Sequence, residues 1–254
     1  MDDYKIIAVT GKGGTGKTVL STLMLQQLAK RFPGKVLAID ADSAMSLPYT
    51  LNLKIEKTVS QLRKTIVGSR AFQQEHQDMT SKDIMKDLLT KGDGFDLLAM
   101  GRPEEPGCFC AVNDLLRFGI SSLSEDYDVT IIDGEAGPEQ LNRRVVTTID
   151  TLLVVSDMSA RSLETAKGIL DAAKADPTNN IQVRRAGLIL NRVRDDQPVQ
   201  ELLDKTGLEV FGLLPEDADV NKFDREGRSL LELPEDSPVK LAVKEILKKV
   251  YPGF

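Results

Sequence analysis

The hydrophobic positions of the chain fall into short runs separated by longer stretches of mixed character. Seven short runs are almost continuously apolar, as is typical of strands covered on both faces: Lys5–Thr10, Lys35–Ile39, Phe95–Met100, Asp128–Ile132, Thr151–Val155, Ala186–Leu190 and Val210–Leu214. Three longer stretches have helical spacing: Lys17–Arg31, Ala160–Ala175 and Val239–Val250. This alternation predicts an α/β fold with a doubly wound, mostly parallel sheet of about seven or eight strands, joined by right-handed crossovers.

One polar segment, residues 58–91, interrupts the alternation of strand and helix. We expect a helical insertion there, at about residues 55–92, within a single domain that spans 1–254, because open α/β sheets commonly reach this length as one unit. The run 239–250 has apolar residues on one helix face and lysines opposite. That spacing indicates a helix packed on the sheet, whereas a membrane-binding helix would need this face to be free.

Charge and composition exclude several classes of function. The chain has 33 Lys plus Arg against 39 Asp plus Glu, for a net charge of −6, so we expect no nucleic-acid partner. No signal-like or membrane-length apolar run occurs, so we expect a cytoplasmic protein that does not bind a membrane. The single histidine, His76, lies among Gln and Glu residues and is interpreted as a solvated helix residue.

A phosphate-binding pattern follows the first predicted strand and opens the first predicted helix. It matches G-x-x-x-x-G-K-[ST] in the context that this motif requires, and its residues are Gly11, Lys12, Gly13, Gly14, Thr15, Gly16, Lys17 and Thr18. Glycines let successive backbone N–H groups point at phosphate oxygens, and the helix N-terminus adds partial positive charge. We therefore expect Lys17 to reach the β- and γ-phosphates of a nucleotide and Thr18 to hold Mg²⁺.

Lys12 is a second lysine that an ordinary phosphate loop does not need. The string G-K-G-G-T-G-K-T resembles the deviant Walker A loop of the ATPase class that includes MinD, ParA, ArsA and the nitrogenase iron protein. The resemblance implies a P-loop ATPase that binds ATP and ADP and forms a nucleotide-sandwich homodimer, in which Lys12 reaches the partner's phosphates. A solvated lysine on a loop is the other interpretation.

Three acidic residues follow predicted strands at the carboxyl edge of the sheet, where open α/β folds bind their ligands. Asp40 and Asp42 end the second strand, and Asp133 ends a later one. By resemblance to the class, Asp42 is the candidate for positioning the attacking water and joins Lys12 and Lys17 as a catalytic residue. The same resemblance implies that Asp133 binds Mg²⁺ through water, while Asp40 is either a ligand of this site or an N-cap or switch residue.

Two residues on later strands indicate the nucleotide base. The sequence Asn191-Arg192-Val193-Arg194 occupies the place where a guanine-binding protein has N-K-x-D. Because Arg194 replaces the carboxylate that would accept the guanine N–H groups, this site favours adenine. The class uses this asparagine to bind the base, and Pro215 resembles the proline that flanks adenine, although a plain turn proline is an equally acceptable interpretation.

Cys108 and Cys110 are the two cysteines of the chain, and they form a Cys-x-Cys. Two thiols are too few for a tetrahedral metal site, but a two-fold dimer would supply four, which suits Zn²⁺ or Ni²⁺. An iron–sulfur cluster is chemically possible, although the nitrogenase iron protein places its cluster cysteines far apart in sequence. A purely structural pair of cysteines is the remaining interpretation.

Over nearly its whole length the chain resembles the carbon monoxide dehydrogenase accessory ATPases, the CooC family. The marks are the deviant loop, the Cys-x-Cys, and residues 133–143, D-G-E-A-G-P-E-Q-L-N-R, against the family's D-x-x-A-G-x-E-H-L-x-R with Gln140 in place of histidine. The resemblance implies an ATP-dependent maturation factor that helps insert nickel into carbon monoxide dehydrogenase or acetyl-CoA synthase. The alternatives are a MinD/ParA-type positioning ATPase, disfavoured by charge and the Cys-x-Cys, and an iron–sulfur reductase, disfavoured by cysteine spacing.

Overall fold

A computed structural model describes residues 5–68, 79–102, 110–135, 146, 148–175, 182–194, 199–251 and 253–254. The strands in this part of the chain are β1 (Lys5–Gly11), β2 (Val36–Asp40), β3 (Thr90–Lys91), β4 (Phe95–Ala99), β5 (Val129–Asp133), β6 (Thr148–Ser156), β7 (Gln182–Val193) and β8 (Val210–Pro215). The helices are α1 (Lys17–Arg31), α2 (Ser46–Thr50), α3 (Val59–Gly68), α4 (Ser81–Lys86), α5 (Cys110–Ser124), α6 (Ala160–Ala175), α7 (Val199–Thr206), α8 (Ala218–Glu226) and α9 (Pro238–Val250). A 3₁₀ turn spans Leu230–Glu232.

The strands form one sheet in the order β3-β4-β2-β5-β1-β6-β7-β8. Every neighbouring pair is parallel except β3–β4, which is antiparallel. The predicted α/β class is thus confirmed, and all seven predicted strands are present. Helices α3 and α4 lie in the segment where a helical insertion is expected. The additional strand, β3, lies at the end of that segment, where Thr90 pairs with Leu97 and Lys91 with Asp96. Two residues are too few to show strand periodicity in a sequence.

Two hydrophobic cores lie on the two faces of the sheet. Along β1, Ile7 and Val9 belong to the core that includes α1 and α9, whereas Ile6 and Ala8 belong to the core that includes α5 and α6. Because successive side chains of a strand point to opposite faces, both sets are buried, and the strand reads as a continuous apolar run. This accounts for the sequence pattern.

Helix α9 packs its apolar face against β8 and α1, as its periodicity predicted. Its buried positions include Val239, Val243, Ile246, Leu247 and Val250. In the described part of the chain, no helix combines the length and the hydropathy needed to cross a bilayer.

The ends of the central strands meet at one edge of the sheet. In the ladder registers, Asp133 pairs with Val9 on one side and with Asp40 on the other. On the far side of β1, Gly11 pairs with Val155. The phosphate-loop motif and the predicted acidic residues therefore emerge side by side, although they are far apart in sequence.

Candidate functional site

The segment between β1 and α1 is a tightly curled loop that only glycine can form at two positions. Gly11 has φ 146° and Gly16 has φ 95°. A Cβ on Gly11 would lie 2.2 Å from the carbonyl oxygen of Val155, and one on Gly16 would lie 2.1 Å from Nδ2 of Asn191. The loop closes on itself where the Thr15 hydroxyl donates to the Lys12 carbonyl at 2.8 Å.

Lys17 lies within this curl. Lys17 is only 8% exposed, and its Nζ lies 3.5 Å from the carbonyl oxygen of Lys12. Gly13 and Gly14 form the exposed outer part of the loop. The backbone N–H groups at the start of α1 and a buried ammonium group therefore converge on one region, which fits the phosphates of a nucleotide.

The predicted Mg²⁺ residues are in direct contact. Asp133 is 1% exposed, and its two carboxylate oxygens accept hydrogen bonds from the Thr18 hydroxyl at 2.7 Å and the Ser21 hydroxyl at 2.9 Å. Burial raises the pKa of Asp133 to about 6, although both hydroxyls and the charge of Lys17 act in the opposite direction. The nearby positive charge is too small to offset the burial of this carboxylate. Together with the Thr18 hydroxyl, the carboxylate offers oxygen ligands of the kind that Mg²⁺ prefers.

Asp40 is an anchor for the loop that follows β2. It is fully buried, and its carboxylate accepts the backbone N–H groups of Asp42 at 3.0 Å and Leu47 at 3.2 Å. Burial, followed by repulsion from Asp133, raises its pKa to about 7. The N-cap position of α2 is Met45, so Asp40 is not the N-cap itself; it binds the first turn of α2 from the end of β2.

Asp42 lies at the same edge, half-buried. Its Oδ1 accepts the backbone N–H of Ala44 at 2.8 Å, and its charge contributes to the raised pKa of Asp133. The next residue, Ser43, contacts two residues that the sequence analysis missed, Glu135 and Arg102. Glu135 belongs to the D-G-E-A-G string, so the string contained a signal; the pattern around Arg102 contained none.

Lys12 lies near an acid that the sequence analysis also missed. Burial opposes ionisation of Asp157, which follows β6, but hydrogen bonds from Ser159 and the positive charges of Lys12 and Arg192 outweigh it and lower the pKa of Asp157. The only sequence signal for Asp157 is its place after a predicted strand at the carboxyl edge. In the single chain, the charge of Lys12 therefore favours the ionised form of Asp157.

The two predicted base-binding residues lie near the ends of neighbouring strands, β7 and β8. Asn191 is 6% exposed; its Nδ2 donates to the Thr15 carbonyl at 2.8 Å, and its Oδ1 accepts the Arg192 N–H at 2.9 Å. Pro215 is half-buried and pairs with Val193. Asn191 thus supports the phosphate loop, and a contact with adenine would use its second amide hydrogen or lone pair.

The Cys-x-Cys is not tested by this geometry. Cys108 lies outside the described residues, and Cys110 is described only as the first residue of α5. His76 and Gln140 also lie outside the described residues. Within the described residues, no three His, Cys, Asp or Glu side chains gather as a metal site, so a shared cysteine site stays a prediction.

Comparison with known proteins identifies the nucleotide-binding class. The family described as the CobQ/CobB/MinD/ParA nucleotide-binding domain matches residues 6–230. The chain belongs to this family. It is accordingly an ATP-binding ATPase of the MinD/ParA type, and its curled loop is the family's P-loop.

An uncharacterized ATP-binding protein of Methanocaldococcus jannaschii is 37% identical to this chain, and the match covers 96% of this chain and 98% of that relative. The carbon monoxide dehydrogenase accessory protein CooC of Rhodospirillum rubrum is 27% identical, covering 89% of each chain. The MinC:MinD cell division protein complex of Aquifex aeolicus contains a chain with a TM-score of 0.72 and 21% identity, covering 98% of this chain and 96% of that one. The last comparison shows a shared fold.

Proposed function

We propose that this ATPase is a cytoplasmic, homodimeric maturation factor that assists nickel insertion into carbon monoxide dehydrogenase or acetyl-CoA synthase. The observation that carries the proposal is the Cys108-x-Cys110 pair in a P-loop ATPase that is similar to CooC over most of both chains. A positioning ATPase would have no evident use for paired thiols.

The described residues divide the work on ATP among themselves. The P-loop N–H groups and Lys17 would hold the phosphates, and Thr18 and Asp133 would hold Mg²⁺, with Asp133 acting through a water molecule. When bound, Mg²⁺ neutralises charge on the phosphate oxygens. Asp42 would orient the attacking water from the loop after β2, and Asn191 and Pro215 would contact the adenine.

Lys12 would act across the dimer. In the single chain it lies close enough to Asp157 to lower the pKa of that carboxylate. In a second subunit, the negatively charged triphosphate would attract the Lys12 ammonium group. Dimer closure would therefore depend on ATP in the partner site.

The metal half of the proposal depends on symmetry. Cys108 and Cys110 supply two thiolates per chain, and two chains on a two-fold axis would supply the four that a tetrahedral Zn²⁺ or a four-coordinate Ni²⁺ requires. The metal is the cargo of this site. Arg102, which precedes Cys108 in the sequence, donates from Nε to the Ser43 carbonyl at 3.1 Å, and this contact supports a proposed coupling between the cysteines and the loop that carries Asp42. Ser43 adjoins Asp42.

The decisive experiment is equilibrium dialysis of Zn²⁺ and Ni²⁺ under reducing conditions. The double variant Cys108→Ser/Cys110→Ser should lose about one metal equivalent per dimer while still binding ATP. Ser122→Ala, a change in the same helix α5, is the matched control and should keep the metal. Tight binding at wild-type stoichiometry in the double variant would assign the cysteines to a structural role.

Nucleotide and pH give two further readouts of the same site. Because thiolates must be deprotonated to ligate a metal, affinity should weaken as pH falls. If the dimer opens and closes with nucleotide state, ATP and ADP should give different metal affinities, and metal should change nucleotide affinity by the same factor. If the protein purified under anaerobic conditions shows iron–sulfur absorbance, that result would instead support the reductase alternative.

A further inference from the structure

The loop that carries Asp42 has a defined shape at its start. The Ala41 N–H donates to the Asp133 carbonyl at 2.8 Å, which attaches the loop to the end of β5. Asp42 then accepts the Ala44 N–H, and Met45 has a left-handed φ of 53°. The Met45 N–H also donates to the Asp42 carbonyl at 3.0 Å, so Ser43 lies inside a turn that these contacts close. None of them uses the polar groups of Ser43 itself.

Ser43 is held by Glu135. One oxygen of that carboxylate, Oε1, accepts both the Ser43 backbone N–H, at 3.1 Å, and the Ser43 hydroxyl. Hydrogen bonds to a charged acceptor are stronger than neutral ones, and two from a single residue also restrict its orientation. Glu135 therefore fixes both the backbone and the side chain of the residue next to Asp42.

Glu135 is itself attached to the base of the P-loop. The Thr10 hydroxyl, near the end of β1, donates to the Glu135 carbonyl. The N–H of the neighbouring Gly134 donates to the Val9 carbonyl at 2.9 Å. From the outer side, Arg102 contacts the Ser43 carbonyl at 3.1 Å. The loop is thus held between the strand that leads into the P-loop and the segment that follows β4.

We infer that Glu135 is a positioning residue for ATP hydrolysis, which keeps the Asp42 carboxylate in place relative to the γ-phosphate by holding Ser43. Reactions that depend on a correctly placed group lose about a hundredfold in rate for a displacement of about 1 Å. The inference rests on the proposed role of Asp42, but it does not depend on the cysteines or on nickel.

A brace that served only stability would behave differently from a positioning residue. Its loss would lower the free energy of unfolding and leave the rate of the folded fraction unchanged. Loss of a positioning residue lowers the rate at saturating ATP and leaves ATP affinity nearly unchanged, because the phosphates are bound by the P-loop. Single-turnover hydrolysis and ATP binding must therefore be measured together.

The test compares Glu135→Ala, Glu135→Gln and Ser43→Ala in full-length protein. Glu135→Ala should lower the single-turnover rate at saturating Mg·ATP by about tenfold or more, with the Kd for ATP changed less than about twofold. Glu135→Gln should recover much of the rate, because an amide oxygen still accepts both Ser43 donors. Ser43→Ala keeps only the backbone donor and should be intermediate. Glu245→Gln, on the exposed side of α9, is the matched control.

Two combinations separate this inference from the role of Asp42. Adding Ser43→Ala to Glu135→Ala should cause no further loss of rate, because Glu135→Ala has already removed the contact that Ser43→Ala would remove. Asp42→Asn should be slow, and Glu135→Ala should add little to it. Wild-type turnover in Glu135→Ala alongside a slow Asp42→Asn overturns the inference alone, whereas wild-type turnover in Asp42→Asn overturns the proposed role of Asp42. If Glu135→Ala does not fold, a wild-type rate in Ser43→Ala also overturns the inference.

Discussion

The buried acid Asp40 should make the stability of the nucleotide-free protein fall as pH rises. Burial and the nearby Asp133 raise the pKa of Asp40 to about 7 from an ordinary value of 3.8. At about 1.4 kcal/mol for each pKa unit, a rise of about three units corresponds to at most about 4 kcal/mol. Because Asp40 and Asp133 repel each other and titrate as a pair, we expect about 2–3 kcal/mol between about pH 5 and pH 7.5.

The sign follows from proton binding. Since the pKa of Asp40 is higher in the folded protein than in the unfolded chain, the folded state binds the extra proton between about pH 4 and pH 7. Protonation therefore contributes stability that is fully present below about pH 4 and is lost as pH rises through about 7. Asp133, whose pKa is raised to about 6, acts in the same direction.

Urea unfolding at a series of pH values, without nucleotide and with Mg²⁺ chelated, measures this effect. Asp40→Asn should flatten the decrease by about 2 kcal/mol, because an amide does not titrate. Its absolute stability is a less useful readout, since the amide nitrogen cannot accept the Leu47 N–H that the carboxylate accepts. Asp171→Asn, at an exposed position on α6, is the control and should keep the wild-type slope.

Two results would refute this reasoning. One is a wild-type free energy of unfolding that stays constant or increases over the same pH range. The other is an Asp40→Asn protein with the full wild-type slope, which would assign the titration to a different group.

Two further predictions concern the P-loop. Lys12→Ala should bind ATP normally but hydrolyse it at least about tenfold more slowly. Lys17→Ala should weaken ATP binding itself, because Lys17 acts within its own chain. Wild-type turnover in Lys12→Ala would contradict the cross-dimer assignment. Gly16→Ala should lower the free energy of unfolding by about 1–3 kcal/mol and impair ATP binding, since φ is 95° and the Cβ would lie 2.1 Å from Asn191 Nδ2. Gly168→Ala, a helical glycine with nothing within 4 Å of the added Cβ, is its control in thermal and urea unfolding, and equal losses in both variants would contradict the steric explanation.

The fold could be predicted from the sequence because its strands are buried on both faces. In β1, for example, adjacent residues such as Ile7 and Ala8 enter different cores, so burial is visible as an unbroken apolar run. Strand β3 could not be predicted in this way. It is two residues long, and its position depends on antiparallel pairing with β4, a contact that no local pattern encodes.

In the candidate site, too, residues of a local motif could be predicted and residues defined by long-range contacts could not. Lys17 and Thr18 could be predicted because the P-loop is a contiguous motif whose geometry is set by its own glycines. Asp157 and Arg102 could not, because their importance depends on contacts with Lys12 and Ser43 that arise only when separate strand ends meet. Sequence reasoning thus identified the groups expected to touch the nucleotide more readily than the groups that hold them in place.

Asn191 shows how one residue can belong to both sets. The N-R-V-R string predicted a contact with the base, and the structure shows its amide bound to the Thr15 carbonyl of the P-loop. That contact also explains why Gly16 must lack a Cβ, since the amide nitrogen occupies the space. If the same amide also binds adenine, one side chain would connect the base to the loop around the phosphates. Base and phosphate recognition would then be energetically coupled, because a shift of Asn191 toward either one would move its contact with the other.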